Sequence, residues 1–268
     1  MTASITDKTY KKLTIQISLN ALSFCVFDTL NNNPIMLNKL PFSSLNRSVK
    51  MEDILESVFS LNSDLKNSYD EILVIHSNNL STFVPTALFD EEFIGSYLQF
   101  NTKVFETDFF TFDTLDKYEM NLVYIPYVNM NNFFIDQYGS FDYKHATTIL
   151  VSKLLDLSKN KEERKMFVHV NENHFEIIVV QNQKLHLFNS FEYKTPEDFI
   201  YYILFTAEQL QLNPENFILQ FLGSISENDS FYQITYKYIR NISLLDVSDF
   251  KNPFTENENR EHFILLHS

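Results

Sequence analysis

His169, Glu172, His174 and His186 fall within one short stretch, and imidazole with carboxylate is the ligand set of a transition-metal site. On strands, residues of even separation share a face, so His169 and Asn171 lie together while His174 stands across a turn. A tetrahedral site also needs well-oriented outer partners, and the stretch reads instead as polar positions on the wet face of a sheet, with no metal bound. Asp108, Asp113 and Asp116 alternate with Phe109, Phe110 and Phe112, the pattern of an exposed edge strand carrying gatekeeping charges. Cys25 is the only cysteine and lies in an apolar strand, which excludes an intramolecular disulfide and argues against a catalytic thiol. Ser-His-Asp chemistry lacks the glycines of a nucleophile elbow. The chain has three glycines, and neither G-x-x-x-x-G-K-[ST] nor G-x-G-x-x-G occurs. Gly223, followed by Ser224, ends an apolar run, where a lone glycine ordinarily serves a tight strand-to-helix turn. No catalytic residue is assigned.

The elements that would position these residues form a unit that occurs twice. Met166 to Gly223 reads as three strands, a helix and a strand, and an earlier copy begins at Leu13. The helices align without a gap at an offset of 145, Glu52 and Asp53 with Glu197 and Asp198, Leu55 with Ile200 and Val58 with Ile203. The following runs align Ile72, Leu73 and Val74 with Phe217, Ile218 and Leu219. Such agreement of pattern more than identity is what two old halves packing alike retain.

Residues 1–11 read as a flexible lead. LTIQIS and LSFCVFD alternate apolar and polar residues and predict an antiparallel hairpin, its first strand with one wet face. A third strand spans residues 35–40, an amphipathic helix 51–66 and a buried strand 71–76. After Leu80 the pattern is less regular: an extended stretch around Pro85, a short helix from Asp90, two strands, a helix over 129–138, a strand at 141–145 and a helix over 145–157. SKNKEERK, the most charged run, marks the domain boundary at 158–165, giving domains of 1–160 and 161–268. The second is shorter, so either its later elements are trimmed or the first carries an insertion between Leu80 and Asn121. Near the end a helix over 230–238, a strand over 242–247 and a closing helix capped by Thr255 are expected.

The chain has 268 residues, 44% hydrophobic and 21% charged, enough to bury a core. Its 27 Phe and 14 Tyr, with no Trp, predict cores filled by phenyl rings. A formal charge of −14 argues against nucleic acid, whose affinity rests on Lys and Arg displacing counterions. The basic clusters at Lys8–Lys12 and Lys159–Lys165 read as solvated segments. The N-terminus lacks a signal-peptide core and no apolar stretch reaches the roughly 18 residues of a membrane helix, so a reducing, cytoplasmic location without membrane insertion is expected.

A hairpin, a third strand, a helix and a parallel strand, duplicated, resemble the actin-like ATPase fold, an α/β class in which two ribonuclease-H-like domains face a cleft. LTIQISLNALSFCVFD, VPTALF and the overall length are similar to an uncharacterised Bacteroidetes family, domain of unknown function 3822, whose members look actin-like with no assigned activity. In active members of the larger superfamily the first hairpin turn carries a D-x-G signature, the glycine admitting phosphate and the carboxylate holding the metal's waters. Here that turn reads Ser18, Leu19, Asn20, Ala21, Leu22, and its counterpart Asn171, Glu172, Asn173, His174. The paired glycines that lie against adenosine are half present, Leu222 with Gly223. A ribonuclease-H nuclease would place Asp on the first strand, and LTIQIS has none. The resemblance therefore implies a degenerate, non-catalytic actin-like scaffold without a cofactor. It would bind a protein partner through the cleft or the Phe-rich surface between Leu80 and Tyr138. The alternative is an ATPase or kinase relative that still binds a nucleotide or other small molecule in an atypical cleft through Asn20, Asn171, Gly223 and Ser224.

Overall fold

A computed structural model describes residues 8–42, 49–100, 102–105 and 107–268, so most of the expected lead lies outside the described residues. The chain forms two compact units, Met1–Ile149 with Ser268, and Leu150–His267. In the first, β1 (Lys11–Ile17), β2 (Ala21–Asp28) and β3 (Asn33–Pro41) are followed by α1 (Met51–Leu61) and β4 (Glu71–His76). An insertion then carries β5 (Ser81–Pro85), α2 (Ile94–Leu98), β6 (Thr111–Leu115) and β7 (Met120–Tyr124). The unit resumes with α3 (Val128–Tyr138) and β8 (Asp142–His145), and α4 (Ala146–Leu157) leads the chain onward.

The second unit repeats the plan with β9 (Lys165–Val170), β10 (His174–Gln181), β11 (Lys184–Glu192), α5 (Pro196–Gln209), β12 (Ile218–Gly223), α6 (Ser230–Tyr238) and β13 (Asn241–Leu244). It closes with α7 (Glu256–Glu261) and α8 (Phe263–Leu266), so the expected single closing helix breaks at His262. Thr255 caps α7 as expected, its hydroxyl accepting from Glu258 N–H in a capping box.

The sheets have matching orders, β3-β2-β1-β4-β8 and β11-β10-β9-β12-β13, with β1–β4 and β9–β12 parallel and the hairpin pairs antiparallel. Each carries a register shift at the corresponding place, between Val26 and Phe27 in β2 and between Val179 and Val180 in β10. A bulge kept at one position in both halves is a built feature of the repeat, since it re-aims the third strand. The ladders also correct the alignment of the last repeated strand. Leu13 pairs with Ile72 and Met166 with Leu219, so Ile72 corresponds to Leu219, two residues beyond Phe217. α5 has 14 residues against 11 in α1, which absorbs the difference.

β1 and β2 are central strands and do not keep a wet face: Thr14 and Cys25 are fully buried. The helix expected over 51–66 ends at Leu61, because Asn62 takes an extended conformation and residues 63–66 form a separate 3-10 turn. Phe59 on α1 meets Phe133 of α3 edge-on at 5.0 Å between ring centroids. In the second unit Phe199 of α5, fully buried, lies 4.5 Å from Phe175 and 5.2 Å from Phe231, so phenyl rings do fill the core. The insertion forms its own antiparallel sheet, β5-β7-β6, over Val84, Leu98 and Val123. Its edge strand β6 holds Asp113, and that carboxylate is not a solvated gatekeeper. It accepts from Tyr124 Oη (3.1 Å), His145 N–H (2.8 Å) and Thr148 Oγ1 (2.5 Å).

Candidate functional site

The β9–β10 hairpin brings together the polar groups of the second unit. His169 near the end of β9 pairs across the ladder with Glu176 of β10. His169 Nδ1 lies 2.8 Å from Glu176 Oε2, and His174 Nε2 lies 3.3 Å from Oε1. The Asn171 amide donates to Oε2 at 2.9 Å, standing 3.3 Å from each of the two ring nitrogens. Glu176 is 6% exposed and His169 3%. Burial alone would raise the Glu176 carboxyl, but the imidazoles of His169 and His174 outweigh it and hold the group well below the ordinary carboxylate range. His174 shows the reciprocal effect: burial opposes its charge, and the Glu176 carboxylate outweighs burial and raises its pKa above the ordinary value. These charge-assisted bonds saturate the carboxylate.

The cluster corrects the sequence reading in two ways. His169 is buried and bonded instead of lying on a wet face, while Glu172 and His186 are exposed and stand outside it. The carboxylate that does take part, Glu176, follows from register: with Asn171 opposite His174 about a two-residue turn at 172–173, residue 169 stands opposite 176. Among the described residues no group of three or more His, Cys, Asp or Glu side chains is placed to hold a metal ion.

Of the proposed ligand-contacting residues, the structure gathers Asn171, Gly223 and Ser224 at the carboxyl ends of β9 and β12, where open α/β sheets usually bind ligands. The side-chain amide of Asn171 is spent on Glu176, and its carbonyl accepts from Tyr193 Oη at 2.7 Å. Gly223 has φ +89°, and a Cβ there would collide with the Val170 carbonyl oxygen, so this glycine is required by the backbone itself. Ser224 is exposed and donates its N–H to Val170 O at 2.8 Å.

Asn20 lies in the equivalent hairpin turn of the first unit and is exposed. The Ser18 hydroxyl accepts from the N–H of Asn20 (3.2 Å) and of Ala21 (3.1 Å), while Asn20 O accepts from Phe42 N–H at 2.7 Å. The donors that would cradle a phosphate are thus engaged within the turn. At the carboxyl ends of β4 and β8, His76 and His145 are ladder partners and fully buried. His76 Nδ1 accepts from Tyr127 N–H (3.3 Å), so Nε2 carries the proton donated to Asn131 Oδ1 (2.9 Å). Burial lowers its pKa to about 4, against the smaller pull of Asn131. In ladder terms His76 occupies the place of Gly223, a full side chain where the other half has none.

The described residues contain no helix long and apolar enough to cross a membrane. No curated protein matches the chain by sequence. Among solved structures it is similar to a Bacteroides thetaiotaomicron protein with actin-like ATPase fold and unknown function, at 23% identity over 100% of both chains with a TM-score of 0.83. It is also similar to the PilM-PilN type IV pilus biogenesis complex (11% identity, 96% of each chain, TM-score 0.56). The ethanolamine utilization protein EutJ from Carboxydothermus hydrogenoformans matches at 8% identity over 96% of this chain and 90% of its own, with a TM-score of 0.52. These likenesses show the fold: actin-like, built of two ribonuclease-H-like halves. The family model described as protein of unknown function (DUF3822) matches residues 1–242, and the chain belongs to that family.

Proposed function

We propose that the protein is a non-catalytic, cytoplasmic actin-like scaffold that binds a protein partner. One observation carries the reading: in both hairpin turns the groups that would meet phosphate are already bonded inside the protein. In the first, the N–H groups of Asn20 and Ala21 bond to the Ser18 hydroxyl. In the second, Asn171 is held on Glu176, and of the two exposed turn residues, Glu172 and Asn173, the first is acidic and repels phosphate. Releasing either turn would cost its internal bonds, on the order of 1 kcal/mol each, before a ligand gained any. Titration calorimetry with ATP and magnesium tests the reading, and tight, metal-dependent heat would overturn it.

A second reading, a nucleotide- or small-molecule-binding relative using Asn20, Asn171, Gly223 and Ser224, draws support from exposed Ser224 on the turn after β12. A thermal-shift screen against nucleotides tests it. The informative variant is Ser224→Trp, which fills the turn without altering the strand. Substituting Gly223 would disturb the Val170 backbone whether or not a ligand binds. A shift that survives Ser224→Trp places any ligand elsewhere.

A further inference from the structure

The insertion of the first unit presents apolar side chains on a backbone that is fixed from beneath. Tyr97 Oη accepts from Asp90 N–H at 2.8 Å and donates to Leu88 O at 3.0 Å, clamping both sides of Phe89. The Phe89 ring turns inward, 4.7 Å from Phe112 and 5.9 Å from Tyr97. Gly95 lies against the Phe110 ring so closely that a Cβ would stand 3.1 Å from it, which seats Phe110, the neighbour of Phe109 in the chain, beside α2. The outward residues of this clamped segment are Leu88 at 71% exposure, Phe93 at 60% and, alongside, Phe109 at 53%. Asp90, Glu91 and Glu92 stand exposed between Leu88 and Phe93.

Part of this acidity has a local purpose. Asp90 caps the short turn that follows it, accepting from Glu92 N–H at 3.0 Å. Among the described residues Glu91 and Glu92 form no ion pair, and their charge faces solvent beside the apolar side chains. Apolar side chains carried outward on a backbone bonded in place require little backbone ordering on binding, which suits an anchor surface. The acidic edge sets which occupant fits. A second copy of this chain, at a formal charge of −14, would bring like charge against like.

We infer that the surface formed by Leu88, Phe93 and Phe109 with Asp90, Glu91 and Glu92 docks a basic, amphipathic peptide segment of a partner protein. Apolar residues of that segment pack on Leu88 and the two phenyl rings, and its Lys or Arg side chains meet the carboxylates. The inference rests on the scaffold reading and names the partner's chemistry.

The test uses the full chain and two synthetic amphipathic peptides with the same apolar face, one with Lys and Arg on its polar face and one with Glu. Binding is followed by fluorescence anisotropy. Three variants accompany the wild type: Glu91→Lys with Glu92→Lys, Phe93→Ser with Phe109→Ser, and a control of equal charge change on the other unit, Glu208→Lys with Glu215→Lys. Asp90 is left in place because it caps the turn. The basic peptide is expected to bind at least ten-fold tighter than the acidic one, to weaken at least ten-fold with either surface variant, and to change less than three-fold with the control. An equal loss in the control means bulk charge alone and overturns the assignment, as does no binding or a preference for the acidic peptide. Because nucleotide is absent from this experiment, those failures leave the scaffold reading standing, and only ATP binding reaches it.

Discussion

His169 Nδ1 faces Glu176 Oε2 at 2.8 Å across the β9–β10 ladder, both side chains sealed from solvent beside the hairpin turn. A buried carboxylate bonded by two imidazoles and an amide locks this hairpin internally. Removing its charge while keeping its shape is therefore informative. In the wild type His174 titrates above the ordinary histidine value of 6.5. In Glu176→Gln that charge is gone and burial is opposed only by the weaker pull of Glu192, so His174 is expected to titrate lower than in the wild type, read from its ring proton shifts by NMR. An unchanged titration would mean that the carboxylate does not control this ring. His174, raised in the folded state, contributes stability that is full below about 6.5 and is lost as pH rises through its folded pKa. Glu176, lowered, contributes stability present above about 4.5 and lost only as pH falls through its depressed folded value.

His76 predicts a dependence of opposite sign. Its folded pKa is lowered to about 4 by burial, whereas an unfolded histidine titrates near 6.5, so the unfolded chain binds a proton that the folded chain refuses. Stability is expected to fall as pH drops from about 6.5 towards 4, by roughly 3 kcal/mol from this residue at 1.36 kcal/mol per pH unit. Urea unfolding of the wild type and of His76→Gln between pH 7 and 4.5 measures it. A wild-type curve no steeper than that of the variant would contradict the burial of a neutral ring.

The two glycines with positive φ separate backbone strain from steric collision. Gly139 ends α3 at φ +77° with nothing within 4 Å of a Cβ, while Gly223 adds a collision with the Val170 carbonyl. Gly139→Ala should cost about 1 kcal/mol or somewhat more, and Gly223→Ala clearly more, on the order of 2–4 kcal/mol. Equilibrium denaturation ranks them. Equal losses would show that Val170 moves aside at no cost.

Much of the fold was legible because its signals are local. The duplicated helix announced itself through Leu55 with Ile200 and Val58 with Ile203, and the buried strand at 71–76 through an unbroken apolar run. What local pattern could not carry was pairing. The two-residue offset between Ile72 and Leu219 shows only in the ladders, and Asp113 reads as a surface charge until His145 and Thr148, over thirty residues away, are brought onto it. The wet face expected of β1 failed for a related reason: alternation records chemistry along one strand, and burial of Thr14 depends on what covers the sheet. At the candidate site the histidines are visible in the sequence, but the carboxylate that falls beside them there is Glu172. Proximity in sequence favoured it, whereas cross-strand register selects Glu176.

The scaffold reading proposes an actin-like frame that takes no nucleotide. Isothermal titration of the intact chain with ATP and excess magnesium tests it most directly, supported by melting curves at millimolar ATP. At 100 times a dissociation constant a bound ligand adds about 2.7 kcal/mol, which is readily seen in such a curve. No binding heat and no shift are expected. Saturable heat that requires magnesium, with a matching rise in melting temperature, would contradict it.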